Sequence, residues 1–328
     1  MRNWKKFLVM SVACTALLGA TSTTQAANQL SDEVANPPAA LQMATQVGML
    51  KYENPSMQNV ANKDAIVILS FGTTFKDTRA KTIEATVKAI QDAHKNTKVV
   101  TAFTSHIVIK HIKENEGKSD YKTPEETLNE LKAQGYTRIT LVPLALIPGI
   151  EYKYDVALFH EYTTQFKKMT LATPLMYWQG QEDQDDDVMD VMQSLELPNY
   201  QKGTAILLMA HGTPDPSNAY YSVMQNKLKA MKRNDVHIYT VEGWPSLDDW
   251  AGKLKMHKVE KIILMPLMMV AGDHANNDMA GAEGDSHKSI LEKMGFKVET
   301  RLKGLGENKK IRDLYVKHAN EAWDALNN

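Results

Sequence analysis

The chain has 328 residues, 43% of them hydrophobic, enough for two ordinary domains that each bury a core. Its 38 basic and 39 acidic residues leave a formal net charge of -1, so no basic field exists to hold a phosphate backbone. A nucleic-acid partner is therefore not expected.

Residues 1–26 read as a signal peptide. Arg2, Lys5 and Lys6 form a basic head, Phe7 to Ala20 an apolar run, and Thr24-Gln25-Ala26 the small residues of a cleavage site. At about 14 residues, the apolar run is too short for a comfortable membrane span, so none is expected after cleavage. The expected location is the periplasm. Cleavage after Ala26 would also remove Cys14, the sole cysteine. Any metal must then be held by His, Asp, Glu or carbonyl oxygen.

Residues 27–61 carry Pro37-Pro38, several Asn and Gln, and no sustained period. They read as an N-terminal arm packed on the surface. From Ala65 onward, apolar runs alternate with helical stretches, which predicts an α/β fold with parallel sheets flanked by helices. Strands are predicted at Ala65–Ser70, Val99–Thr104, Ile139–Leu146 and Thr170–Thr173, and helices at Asp77–Ala93, Pro124–Gln134 and Tyr154–Lys167. The acidic stretch Gln179–Asp187 leads into a short amphipathic segment, and Pro198–Gly203 reads as a connector. Later strands are predicted at Thr204–Met209, His237–Val241, Lys261–Met268 and Lys297–Arg301, with helices between them and a last one at Asn308–Leu326. This gives two similar α/β domains, 62–196 and 197–328.

The halves also match in detail. Ile68-Leu69-Ser70-Phe71-Gly72-Thr73 aligns with Leu208-Met209-Ala210-His211-Gly212-Thr213. Leu141-Val142-Pro143-Leu144 with Pro148-Gly149-Ile150-Glu151 aligns without a gap on Leu264-Met265-Pro266-Leu267 with Ala271-Gly272-Asp273-His274. A period of roughly 120–140 residues is far too long for a solenoid, and two matches in the same order at strand ends point to one duplicated domain. Ligands of such sheets sit beyond the carboxyl ends of the strands. Two facing domains would form one cleft lined by both sets of ends.

Three strand ends of the second half carry groups able to bind a metal: His211, Glu242 and His274. Their first-half counterparts are Phe71, Thr104 and Glu151. The expected cleft is polarised, with metal ligands on one wall and the acid Glu151 on the other. Two imidazoles and one carboxylate suit a first-row divalent ion and leave coordination positions open. Spacings of 31 and 32 residues are also compatible with ordinary roles, His211 capping a helix and His274 bonding a nearby carboxylate. The 18 methionines read first as adaptable core filling, and second as a soft wall for a large flat ligand. The stretch Ala282–His287 with Asp278 reads as a solvated helix start rather than a calcium loop. Gly304-Leu305-Gly306 lacks the third glycine of a dinucleotide fingerprint, and no P-loop pattern supports ATP chemistry.

The strings Ser70-Phe71-Gly72-Thr73, Ala102-Phe103-Thr104-Ser105, Pro148-Gly149-Ile150-Glu151-Tyr152, His211-Gly212-Thr213, Val241-Glu242-Gly243 and Ala271–Gly281 resemble the anaerobic cobalt chelatases of the CbiK type. The resemblance runs from about Ala65 to the C-terminus. It implies a class II chelatase, a sirohydrochlorin cobaltochelatase that inserts Co²⁺ into a tetrapyrrole without ATP or organic cofactor. Fe²⁺ or Ni²⁺ are the other metals it allows. His211, Glu242 and His274 match the family's metal site, and Glu151 a further cleft acid. The catalytic residues so implied are His211, His274 and Glu151. Family members often carry His where Ala145 stands, and Trp where His287 stands. The alternatives kept open are a periplasmic haem or tetrapyrrole carrier on a chelatase fold, ferrochelatase or nickel-chelatase activity, and a simple periplasmic metal-binding protein. A homo-oligomer is neither required nor excluded.

Overall fold

The computed structural model describes residues 34–117, 119–181 and 183–328. The signal peptide expected at 1–26, with Cys14, lies outside the described residues. The chain runs through helix α1 (Ala39–Ala44), strands β1 (Leu50–Glu53) and β2 (Asp64–Ser70), then helices α2 (Lys76–Arg79) and α3 (Ala85–Ala93), joined by a π-helical turn at Ala80–Glu84. Strand β3 (Lys98–Phe103), helices α4 (His106–Glu116) and α5 (Pro124–Ala133), strand β4 (Arg138–Pro143), helix α6 (Ile150–Tyr162), strand β5 (Lys168–Leu171) and helix α7 (Asp187–Ser194) complete the first half. The second half holds β6 (Thr204–Ala210), α8 (Tyr220–Ala230), β7 (Val236–Thr240), α9 (Leu247–Met256), β8 (Lys261–Pro266), α10 (His287–Lys293), β9 (Lys297–Thr300) and α11 (Lys309–Asn327).

The first sheet has the order β1-β5-β4-β2-β3 and the second β7-β6-β8-β9. Read from its other edge and without β1, the first becomes β3-β2-β4-β5, the order of the second, and all these pairings are parallel. Topology thus repeats what the sequence strings suggested. Even the exits repeat: Leu144 donates to the Leu69 carbonyl at 2.7 Å, and Leu267 to that of Met209 at 2.7 Å.

Helices cover both faces of each sheet, which is why the central strands read as continuous apolar runs rather than alternating ones. In β2, Ile66 and Ile68 enter one buried cluster, and Ala65, Val67 and Leu69 another. Each such aliphatic side chain contributes about 1.5–3 kcal/mol by leaving water. The Ile66–Ile68 cluster extends through Ile206 and Leu208 of β6 and through Tyr315, Ala319 and Ala322 of α11, so one core spans both lobes. Helix α11 packs back on α3, β4 and β5, and α7 packs on α8 of the other lobe.

The structure differs from the sequence reading in four places. The 27–61 arm contributes β1, which pairs antiparallel with β5 at the sheet edge and buries Leu50. Strands β4 and β8 stop at Pro143 and Pro266, whose rings offer no N–H to a ladder. Helix α6 starts at Ile150, four residues before the predicted start, which puts Glu151 in its first turn. Helix α4 was not among the predicted first-half helices, although Ser105 caps its start and Gly117 closes its end in the left-handed region.

Candidate active site

Strands β2 and β6 end at Ser70 and Ala210, so Phe71 and His211 are the first residues past the sheet in each lobe. Gly72 and Gly212 follow with φ of +89° and +87°. A Cβ at Gly72 would lie 2.6 Å from the Phe103 ring, and one at Gly212 2.7 Å from the Glu242 carbonyl carbon. Only glycine accepts both the left-handed turn and the close approach, and that turn leaves Phe71 and His211 at the strand tips.

The tips face each other across a cavity of about 520 Å³, within the range of small-molecule sites. Ser70–Phe75, Leu144–Ile147 and Gly149–Glu151 supply one wall, and His211–Pro214, Glu242 and Leu267–Val270 with Gly272–His274 the other. All four side chains singled out in the sequence, Glu151, His211, Glu242 and His274, line this one cleft. Ala145 lines it too, whereas His287 lies behind the wall against Tyr239, its Nδ1 3.0 Å from the hydroxyl.

The two imidazoles are the close pair, with ring centroids 4.9 Å apart and planes at 80°. His211 Nδ1 stands 3.1 Å from the Gly212 carbonyl, an acceptor only, so Nδ1 is the donor of this contact and Nε2 is left for another partner. His274 Nδ1 bonds the Asp278 carboxylate at 2.5 Å, which likewise frees Nε2. Such outer partners fix the tautomer and raise the basicity of metal-binding histidines. Asp278 lies in a π-helical turn, Ala275–Met279, directly after His274. Glu242 is exposed toward the cleft, its backbone N–H donating to the His211 carbonyl at 2.8 Å. Among the described residues, no group of three or more His, Cys, Asp or Glu side chains is gathered tightly enough to hold a metal ion in this conformation.

On the opposite wall the Glu151 side chain is exposed to the open space of the cleft. Desolvation by the protein packed around it lifts its pKa above the ordinary carboxylate value, while the nearby His211 pulls the other way. Phe71 and Ile150, 52% and 53% exposed, give this wall an apolar face, and Met268 and Met269 line the cleft's second wall. Other methionines of the strands and helices, such as Met169, Met192 and Met209, fill cores.

A model of the family described as cobalt chelatase (CbiK) matches residues 64–324. The chain belongs to the CbiK cobalt chelatase family. It is 33% identical over 262 residues to a sirohydrochlorin cobaltochelatase of Salmonella typhimurium, covering 79% of this chain and 96% of that one. It is 27% identical over 282 residues to the sirohydrochlorin cobaltochelatase CbiKC of Nitratidesulfovibrio vulgaris, covering 85% and 97%. Among solved structures, the sirohydrochlorin chelatase SirB of Bacillus subtilis subspecies spizizenii in complex with cobalt aligns with a TM-score of 0.52 at 14% identity, over 80% of this chain and 96% of that one. SirB from Bacillus subtilis with Fe³⁺ gives 0.52 at 16% identity, over 79% and 95%. These two share the two-lobed chelatase fold.

Two further residues support this wall. Asp278, which the sequence reading assigns to a solvated helix start, stands at i,i+4 from His274, the spacing that signals their contact. Tyr221 accepts the Gly212 N–H at 3.2 Å and steadies the His211 turn. Nothing in its surroundings in sequence marks that role. Gly304 and Gly306 prove to be packing glycines: Cβ atoms there would meet Met269, Ala271 and Thr82 at 2.7–2.9 Å.

Proposed function

We propose that this chain inserts Co²⁺ into sirohydrochlorin or a closely related tetrapyrrole, with no ATP and no organic cofactor. The observation that carries this is the pair of imidazoles 4.9 Å apart, each with Nδ1 engaged and Nε2 free, facing an acid and an apolar wall across one cleft. The names and metals of the relatives support the same reading.

His211 and His274 receive the metal substrate, and Glu242 supplies the third ligand and a neutralising charge. The open arrangement of the three suits a delivery site, because the ion has to leave for the ring nitrogens. Side chains at such sites often tighten only around their substrate. Phe71 and Ile150 lie against one face of the macrocycle. Insertion removes two pyrrole protons, and Glu151, held above the usual carboxylate range, accepts them more readily than an ordinary carboxylate would. A neutral imidazole shares that task at the other wall.

His274→Ala should abolish Co²⁺ insertion, followed anaerobically by the absorption of the macrocycle, while the far-ultraviolet circular dichroism stays that of the wild type. Wild-type turnover in this variant would end the proposal. A second reading, a haem or tetrapyrrole carrier, is favoured by Ala145, which faces the cleft where family members often place His. Such a carrier would bind haem tightly and metallate nothing. The leader-like residues 1–26 support a periplasmic location. The exported protein should then begin at Ala27 by N-terminal sequencing, and retention of Met1 would refute export by cleavage.

A further inference from the structure

Helix α6 carries an acid that the chemistry above does not use. Asp155 stands one turn beyond Glu151, at i+4 on the same helix face. It is only 3% exposed, and its Oδ1 has no hydrogen-bond partner. Buried carboxylates are normally paired with a cation or saturated with donors. Lys153, the cation between the two acids in sequence, instead forms an ion pair with Asp215 of the other lobe. The groups whose charges couple to Asp155 are Glu151 and the neighbouring tyrosines Tyr152 and Tyr154, none of them cationic. A fold that keeps an unneutralised acid here gives up stability at that position. The loss makes sense if the acid moves protons.

We propose that Asp155 is a proton relay that acts through Glu151. Each insertion releases two protons, and Glu151 at the cleft with Asp155 one turn behind it offers two carboxylates to take them. A pyrrole N–H bond breaks, its electron pair stays on nitrogen to bind the metal, and the proton forms an O–H bond on Glu151. Glu151 passes that proton to a carboxylate oxygen of Asp155 and returns to its anionic form for the second pyrrole. Both acids then stand neutral, the form that desolvation favours, and release their protons to solvent through Glu151 as the product leaves. Burial and the charge of Glu151 hold the Asp155 carboxyl well above the ordinary aspartate value, in keeping with a strong acceptor.

This inference rests on the chelatase reading, and the assay separates the two. If wild-type protein inserts no Co²⁺, the function fails before the relay is tested. With active wild type, Asp155→Asn should lower kcat about tenfold, a modest share of what general acid–base groups supply. KM for Co²⁺ and for the macrocycle should not change, and the solvent deuterium isotope effect on kcat should rise. In a Glu151→Gln background, Asp155→Asn should have no further effect. The variant should also melt no lower than wild type at neutral pH, because it removes an ionisable group from a site that disfavours charge. Asp155→Leu, of similar size and without a polar group, is held to the same kinetic expectations should the amide disturb folding. An unchanged kcat and isotope effect in a folded variant, or a further loss on top of Glu151→Gln, would overturn the relay.

Discussion

His274 and Asp278 show how much of this site lies behind the atoms that meet the metal. The carboxylate accepts the Nδ1 hydrogen bond at 2.5 Å and holds the ring in the cleft wall, and under the proposed function Nε2 is then the donor to the ion. Losing such an outer partner typically lowers metal affinity about 10–100-fold. Asp278→Asn should therefore weaken Co²⁺ binding by that order, measured by equilibrium titration of the macrocycle-free protein. The fold should persist, since both side chains are partly exposed. Unchanged affinity would mean that His274 is not a ligand. The ordinary reading of the sequence, a histidine bonded to a nearby carboxylate, and the functional one describe the same contact here.

At the scale of elements, the last helix is tied to the first lobe by a buried network. His318 of α11 forms an ion pair with Asp187 of α7 at 3.6 Å, too long for a hydrogen bond, and its Nδ1 meets the Thr173 hydroxyl at 3.1 Å. Burial alone would lower the His318 pKa, but the charge of Asp187, with Glu321 and Thr173, raises it above the ordinary value. Burial would raise that of Asp187, but His318 and the N–H groups of Trp178 and Tyr177 bring it below. A raised histidine contributes stability that is complete below about pH 6.5 and is lost as pH climbs through its folded value. A lowered aspartate contributes stability that is complete above about pH 3.9 and is lost as pH falls through its folded value. Between those limits the pair acts at full strength. Asp187→Asn, which strands a buried imidazolium, should cost about 3–5 kcal/mol in urea unfolding near pH 6. The gap to wild type should narrow as pH rises past 7. A pH-independent gap would show that His318 is neutral in the fold. The sequence announced the elements but not this tie. Period and capping locate α11 and α7, while the pairing of His318 with Asp187 depends on a fold that brings residues 131 positions apart together. Strand β1 escaped for a related reason: four alternating residues are too short a run to announce a strand alone, and they become one because β5 offers an open edge.

For the molecule as a whole, duplication explains both what could be read and what could not. Matched strings at strand ends identify two lobes of one topology and a cleft between them, and the paired sheets repeat that order strand by strand. They also place the side chains. Phe71 and His211 occupy equivalent tips, as do Glu151 and His274, so equivalent turns give one lobe an apolar and acidic wall and the other a wall of imidazoles. Strand-end position was enough to place Glu151, His211, Glu242 and His274 in one cleft. It says nothing of partners that act from the next turn of a helix, which is why neither Asp155 nor the bond of Asp278 to His274 follows from it. Exchange of α7 and α11 between lobes was equally hidden, since a helix that crosses over has the same amphipathic period as one that stays.

The central claim is that this cleft metallates a free-base tetrapyrrole, and its most direct test is an anaerobic absorption time course with purified protein, sirohydrochlorin and Co²⁺. The account predicts protein-dependent conversion of the free-base spectrum to that of the cobalt complex, with many turnovers per protein and no added ATP. A free-base spectrum that persists at the rate of the protein-free control would contradict it.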